Sequence, residues 1–289
     1  MIYQSPKDWF NAKNKRILLF GMSGLGKTHI SNMLRLSGNW FHYSVDYRIG
    51  TRYMGELIAD SFKRKAMQVP YLRHLLMSDS IYIASNITFD NLAPLSTYLG
   101  KPGDARKDGL EFDEYMRRQD EHRLAEISAL MDTPHFIKRA GELYQYDNFV
   151  CDSGGSICEV VDPDDPDDLV LNCLSQNTLL VWIKGTKSHR QDLVERFDRT
   201  PKPMYYKAEF LKRKWTEYLE MTGGDAAIVD PDDFVRWTYV QALQHRQPRY
   251  AGISKWGVTV SADEVGALKT ASDFEVLIAA ALERRHKKV

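Results

Sequence analysis

The chain has 289 residues, enough for one large α/β domain or for a domain with a sizeable insertion. Hydrophobic residues make up 43% and charged residues 27%, and 39 Lys plus Arg balance 39 Asp plus Glu. That balance gives no whole-chain electrostatic attraction for nucleic acid or for a membrane surface. Cys151, Cys158 and Cys173 are odd in number and form no CxxC pair, which argues against a disulfide framework or a zinc site and for reduced thiols. The N-terminal stretch MIYQSPKDWFNAKNKR has no apolar core, and no apolar run is long enough to cross a bilayer. The expected compartment is the cytoplasm.

Taken in order, Ile17-Leu18-Leu19-Phe20 is a short apolar run ending at Gly21, the pattern of a buried parallel strand. Lys27 to Leu36 predicts a helix that Ser37-Gly38 stops. Trp40 to Val45 is aromatic and β-branched and predicts a second strand ending at Asp46. From Ile49 to about Ala140 the pattern is helical, with helices at Met54–Met67, Tyr71–Met77 and Glu111–Met131 and an exposed loop at Tyr98–Asp108. Asn148 to Asp152 predicts a third strand, running into Ser153-Gly154-Gly155-Ser156. The acidic stretch from Asp162 to Asp168 lacks calcium-loop spacing and reads as a solvated turn before a helix. Thr178–Ile183 is a fourth strand, Gln191–Phe197 a helix, and Asp198 to Pro203 a basic, proline-stiffened loop. Helices at Ala208–Glu220 and Asp232–His245, a fifth strand at Gly257–Val260 and a helix at Asp273–Arg284 complete the chain. Strands alternating with helices predict a doubly wound parallel sheet of the P-loop NTPase type, with helical insertions. The organisation expected is a single domain over 1–289, with a helical insertion at 49–140 and a lid with a helical extension at 196–256.

Chemistry concentrates at Gly21-Met22-Ser23-Gly24-Leu25-Gly26-Lys27-Thr28, which fits G-x-x-x-x-G-K-[ST] at every position. Glycines let a loop turn its amides inward around phosphates. Lys27 brings a mobile positive charge towards the β- and γ-phosphates, the Thr28 hydroxyl is the type of ligand magnesium takes, and the helix that starts here adds its positive end. The expected cofactors are therefore ATP and Mg2+. A strand-end acid beside the loop completes such a site. Asp152, after Phe149-Val150-Cys151, and Asp46, at the end of the second strand, both qualify; each also fits a simple turn or helix cap.

This layout resembles the small-molecule kinases of the shikimate kinase and gluconate kinase group. The loop is similar to that group's GxxGxGK[ST] form, with the extra glycine at Gly24. Where the family's second strand ends in Asp-x-Asp, this chain has Ser44-Val45-Asp46, so only the second acid is present and metal binding shifts towards Asp152. Arg118 and Glu121 match the spacing of the family's Arg-x-x-Glu pair, in which the arginine grips a substrate carboxylate. Ser153-Gly154-Gly155 is similar to its glycine run near the acceptor. Arg196, Arg199 and Lys202, ahead of Pro203-Met204-Tyr205, are similar to its arginine-bearing lid. The likeness spans about half the chain and omits Ile49–Leu110 and much of Leu211–Trp256.

The resemblance implies roles for these residues. Gly21, Ser23, Gly24, Leu25, Gly26, Lys27 and Thr28 would hold the nucleotide, with Thr28 and Asp152 on the metal. Asp46 or Asp152 would take the acceptor's proton, and Arg196 or Arg199 would close over the γ-phosphate, arginine's planar fork suiting phosphate oxygens. Asp46, Arg48, Arg118, Ser153, Gly154, Gly155 and Lys202 would line the acceptor side. Arg118 fits equally well as a partner for carboxylates on its own charged helix. His29 reads as a packing residue, and the aromatics Trp237, Tyr239, Tyr250 and Trp256 fit an adenine sandwich or, better, a core. The expected activity is phosphoryl transfer from ATP to a hydroxyl of a small, anionic acceptor. A nucleotide-driven ATPase switch and a nucleoside-type kinase are the competing readings. Neutral charge counts against a polynucleotide partner, and oligomeric state is open.

Overall fold

In the computed structural model, which describes residues 1–287, the chain begins with α1 (Pro6–Asn11), β1 (Arg16–Phe20), α2 (Lys27–Leu36), β2 (Trp40–Ser44) and the short α3 (Val45–Arg48). A π-helical turn, Ile49–Tyr53, leads to α4 (Gly55–Ala66), α5 (Pro70–Met77) and α6 (Ala93–Leu99). Then come α7 (Phe112–Met131), α8 (Thr133–Glu142), β3 (Asn148–Asp152), α9 (Ile157–Val160), α10 (Leu169–Asn177), β4 (Leu179–Lys184) and α11 (Lys187–Arg199). The chain closes with α12 (Ala208–Thr222), α13 (Pro231–Ser254), β5 (Val258–Ser261), α14 (Ala262–Gly266) and α15 (Ala271–His286). No helix among the described residues is long and apolar enough to cross a membrane.

The strands form one parallel sheet in the order β2-β3-β1-β4-β5. β1 lies at its centre, and Ile17, Leu18, Leu19 and Phe20 are fully buried there. A strand covered on both faces has no polar side to show, which is why it reads as an unbroken apolar run. Burying each such side chain is worth roughly 1.5–3 kcal/mol. The chain winds from β1 to β2 and β3 on one side, then crosses to β4 and β5 on the other. The winding direction therefore changes beside β1, and a doubly wound sheet opens its crevice at the carboxyl ends of the strands at that point. This is a P-loop NTPase-type α/β fold with many added helices.

The residues fall into two compact units. Unit 1 comprises Met1–Val45, Ile127–Pro201 and Arg236–Val289 and carries the whole sheet. Unit 2 comprises Asp46–Glu126 and Lys202–Val235 and is helical apart from its connecting segments. An aromatic cluster holds unit 2 together: Phe112 stacks on Trp215 at 4.8 Å, and Trp215 and Tyr218 meet Phe234 edge-on at 4.9 and 5.3 Å. Gln119 fixes the start of the second segment, its amide nitrogen donating to the Met204 carbonyl at 3.2 Å and its amide oxygen accepting from the Tyr206 amide at 2.9 Å.

Three expectations need correction. The second strand stops at Ser44, and Asp46 lies instead on the helical turn of α3. The stretch Tyr98–Asp108 is exposed only at Ala105–Asp108: Tyr98 and Leu99 are buried, and so is Asp104, which Arg106 pairs with at 2.7 Å while the Asp104 amide donates to the Val229 carbonyl. Its Gly and Pro content marks a tight connection rather than a solvated one. Helix α11 runs on to Arg199, so Arg199, with Asp198, is helical and the predicted loop starts only after it. The acidic stretch does precede a helix, with Asp168 capping α10 by accepting from the Leu171 amide.

His42 on β2 is buried, and burial together with the Arg35 charge lowers its pKa to about 4. The folded value lies below the unfolded one near 6.5, so this contribution to stability is present above pH 6.5 and lost as pH falls towards 4. We expect a His42→Gln chain to lose less stability over that window than the parent, by a slope approaching 1.4 kcal/mol per pH unit. Urea melts at pH 7, 5.5 and 4.5 check it, and parallel decline of both proteins would exclude His42 as the titrating group.

Candidate functional site

The loop between β1 and α2 is built by its glycines. Gly21, Gly24 and Gly26 have φ of 138°, 85° and 99°, the region that side chains with a Cβ rarely enter. Space is also short: a Cβ at Gly21 would stand 2.6 Å from the Ile183 carbonyl oxygen on β4. One at Gly24 would stand 2.9 Å from Leu193 Cδ2 and 3.2 Å from Arg196 Nη1. Gly26 is the left-handed residue preceding α2, so the first amides of that helix face the loop's concavity without a side-chain cap. Ser23, Gly24 and Thr28 are exposed, whereas Leu25 and Lys27 are buried.

The Lys27 ammonium donates to the carbonyls of Gly21 at 2.9 Å and Met22 at 3.1 Å, spanning the loop from within. The Thr28 hydroxyl donates to Asp152 Oδ2 at 2.9 Å. Register explains that bond. β3 runs parallel to β1 with Asp152 opposite Leu19, which puts the last residue of β3 level with the start of the loop. Ser44 pairs with Asp152 on the other side, so the position at which the resembled family carries its first acid adjoins Asp152 and holds a hydroxyl here. Asp152 is 7% exposed. Burial pushes its carboxyl above the usual carboxylate range, while the Lys27 charge and the Thr28 hydroxyl pull it back. A carboxylate held at such a cost favours a nearby cation.

Arg196 lies on α11 beside Gly24, exposed, one side of its helix turned to the loop. Arg199 is exposed one turn further on. Ser153 turns inward, its hydroxyl donating to the Leu19 carbonyl at 2.9 Å, and Gly154 is buried. Both form a wall behind the loop, not the open acceptor surface expected of them. Gly155 packs on the loop itself: a Cβ there would stand 3.2 Å from the Ser23 amide nitrogen.

Asp46, Arg48, Arg118 and Lys202 belong to unit 2. Asp46 and Arg48 are half-buried on α3, with the Arg48 guanidinium over the Tyr53 ring at 5.5 Å, and Lys202 is exposed. Arg118 is committed elsewhere. It pairs with Glu114 at 2.7 Å, donates to the Tyr98 carbonyl and lies over the Tyr98 ring at 4.8 Å. The helical i, i+4 partner carboxylate wins over the acceptor role. Glu121, its companion in the motif spacing, instead accepts from the Tyr98 hydroxyl at 2.6 Å and pairs with Arg117. His29 is exposed, not packed. Tyr239 stacks on Phe197 at 3.9 Å and Tyr250 is 1% exposed, so these aromatics serve the core.

A set of contacts beyond the motif was missed. Arg246, Gln247 and Tyr250 on α13 reach the loop and its wall through side-chain hydrogen bonds. The signal was present: Tyr239, Ala242, Leu243, Tyr250 and Ile253 are a buried stripe at helical spacing, and Arg246 falls on it. A charge on an apolar stripe calls for a buried partner.

The donor set suits magnesium. A magnesium ion on a nucleotide takes one or two protein oxygens and draws the rest from phosphates and water, so a hydroxyl beside a carboxylate suffices. No group of three or more His, Cys, Asp or Glu side chains among the described residues forms a protein-only metal site.

No family model matches the chain, and no curated protein matches it. Among solved structures, it is similar to a shikimate kinase from Bacteroides thetaiotaomicron, with 16% identity over 95% of this chain and 97% of that one at a TM-score of 0.37. It is also similar to a shikimate kinase from Acinetobacter baumannii in complex with shikimate, with 12% identity over 98% and 99% at a TM-score of 0.32. The fold assignment stands on this chain's own strand order and loop geometry.

Gly24→Ala should strain the loop through its φ and drive Leu193 and Arg196 away. We expect nucleotide affinity to fall by roughly tenfold or more with the far-UV spectrum unchanged, the loss being of order 1–3 kcal/mol. Calorimetric titration with magnesium and ATP reads this directly; an undiminished affinity would mean that the loop tolerates a side chain at Gly24.

Proposed function

We propose that the protein transfers the γ-phosphoryl group of ATP to a hydroxyl of a small, anionic metabolite. The observation that carries this reading is the Thr28–Asp152 hydrogen bond of 2.9 Å at the foot of a phosphate-type loop whose lysine is already drawn across it. Phosphoryl transfer needs positioning and charge neutralisation more than covalent chemistry. Magnesium-bound ATP supplies the phosphoryl group and spreads its charge.

The chain's own residues do the rest. The loop amides and the first turn of α2 hold the phosphates, and Lys27 exchanges its two carbonyl partners for phosphate oxygens. Thr28 and Asp152 offer the hydroxyl and carboxylate oxygens for the metal. Arg196, beside Gly24, is placed to follow the terminal phosphate, and Arg199 is the second candidate on the same helix. In this reading Asp46 is the acceptor's base, with Asp152 given to the metal beside Thr28. Arg48 and Lys202 are the positive groups offered to an anionic acceptor in this reading, Arg118 being paired with Glu114. Water has to be kept from the phosphoryl group in any such enzyme.

Incubation with γ-labelled ATP, magnesium and a metabolite extract should yield a new phosphorylated product. Steady hydrolysis that the extract does not change would instead favour the ATPase switch. Lys27→Ala should abolish product formation, and full activity in that variant would sink the proposal. Arg196→Ala should lower kcat by about a hundredfold or more while leaving ADP affinity within a few fold. Asp46→Asn should likewise lower kcat at unchanged nucleotide affinity; a loss confined to ATP binding would move Asp46 out of the acceptor role.

A further inference from the structure

Helix α13 carries three side chains, Arg246, Gln247 and Tyr250, whose polar atoms converge on the phosphate loop and the segment behind it. The Tyr250 hydroxyl donates to the Gly155 carbonyl. Arg246 Nη1 reaches the same carbonyl at 3.4 Å, and Arg246 Nε donates to Glu159 Oε1 at 2.7 Å. Gln247 Nε2 lies 3.0 Å from the Met22 sulfur. Met22 is the residue whose carbonyl takes the Lys27 ammonium, and Gly155 is the residue whose backbone packs against the Ser23 amide. The first residues of the loop, Met22 directly and Ser23 through Gly155, therefore rest on atoms that α13 holds.

The ion pair within this arrangement is almost wholly buried, Glu159 at 3% and Arg246 at 3% exposure. Desolvation offsets most of what such a pair gains, so its net contribution to stability is small. What a buried pair does supply is direction: a guanidinium held by one carboxylate presents its remaining donors along fixed lines. Here one of those lines ends on Gly155. Pro248 sits within α13 between the two contact points and removes one bond of the helix's own ladder, so side-chain anchoring matters more in this stretch.

We propose that α13 is a brace that sets nucleotide affinity: Arg246, Gln247 and Tyr250 hold Gly155 and Met22 so that the loop's amides are preorganised for phosphate. They are positioning residues and touch no ligand. The inference rests on the nucleotide-binding part of the function proposed above and is independent of the acceptor. Preorganisation lowers the ordering cost of binding, so slackening the brace weakens nucleotide binding without altering any group that contacts the nucleotide.

Arg249 provides the control. It lies on the same helix and ties down the same segment, donating to the Cys158 and Val161 carbonyls, but at the end remote from the loop. The experiment is calorimetric titration of the full chain with ADP and magnesium, beside thermal melts without nucleotide. Tyr250→Phe removes one hydroxyl and keeps the ring, and should raise the ADP Kd about fivefold, the usual worth of one neutral hydrogen bond. Arg246→Lys keeps the charge for Glu159 but loses the second arm to Gly155, and should raise it by a similar factor. Arg249→Met should lower Tm and leave the Kd within twofold.

An Arg249→Met chain that loses affinity as much as Tyr250→Phe would reduce the effect to general destabilisation and overturn the brace. Parental affinity in both Tyr250→Phe and Arg246→Lys would overturn it as well. If a substitution at Arg246 leaves the chain unfolded, Tyr250→Phe and Gln247→Leu decide the matter alone. A parent chain that binds no ADP at all overturns the nucleotide reading and the brace together, a result distinct from either of the preceding ones.

Discussion

The hydrogen bond between Thr28 and Asp152 depends on parallel pairing at the centre of the sheet. β1 and β3 run side by side in the same direction, so the loop after one and the carboxylate ending the other arrive at the same edge. A parallel neighbour delivers this; an antiparallel one would present its amino end there. Everything else at the site is arranged around that edge. β4 brings Ile183 close enough to require glycine at position 21, and α11, which follows β4, brings Leu193 and Arg196 to Gly24. The loop is thus confined by three strands and a helix before any ligand arrives.

Confinement has an electrostatic cost. Asp152 is nearly inaccessible, and burial raises its carboxyl above the ordinary range. The protein meets part of that cost with Lys27 and the Thr28 hydroxyl. A buried carboxyl shifted in this way is a common property of functional sites. The α13 contacts belong to the same picture. They leave the edge of the sheet alone and act on the Gly155 carbonyl and the Met22 sulfur, both next to Ser23.

Unit 2 follows a different logic. Its core is aromatic, with Phe112, Trp215, Tyr218 and Phe234 in contact, and its connecting segments are pinned by side chains such as Gln119 and Asp104. Charged residues on α7 are matched within the helix, Arg117 with Glu114 and Glu121, and Arg118 with Glu114. Surface pairs of that sort add little stability. They do neutralise groups that would otherwise be open, and Arg118 is one of them.

The sequence by itself determined the sheet, its loop and the residues on it. Apolar runs of four to six residues between helical patterns identify buried parallel strands, and G-x-x-x-x-G-K-T carries its own backbone requirement, so β1, β3, α2 and the positions of Lys27, Thr28 and Asp152 were legible. Local chemistry dictates these features, which need no distant partner to be defined. Tertiary structure decided the rest. Whether Arg118 faces a ligand or Glu114 depends on which neighbour is nearer, and periodicity allows both. That the first part of Tyr98–Asp108 is buried depends on partners such as Val229, far along the chain. That Ser153 turns to Leu19, that Arg196 stands at Gly24, and that α13 holds Gly155 and Met22 all follow from packing between segments remote in sequence. Pairings of that kind are set by the folded geometry, because no spacing within one segment encodes the identity of a partner on another.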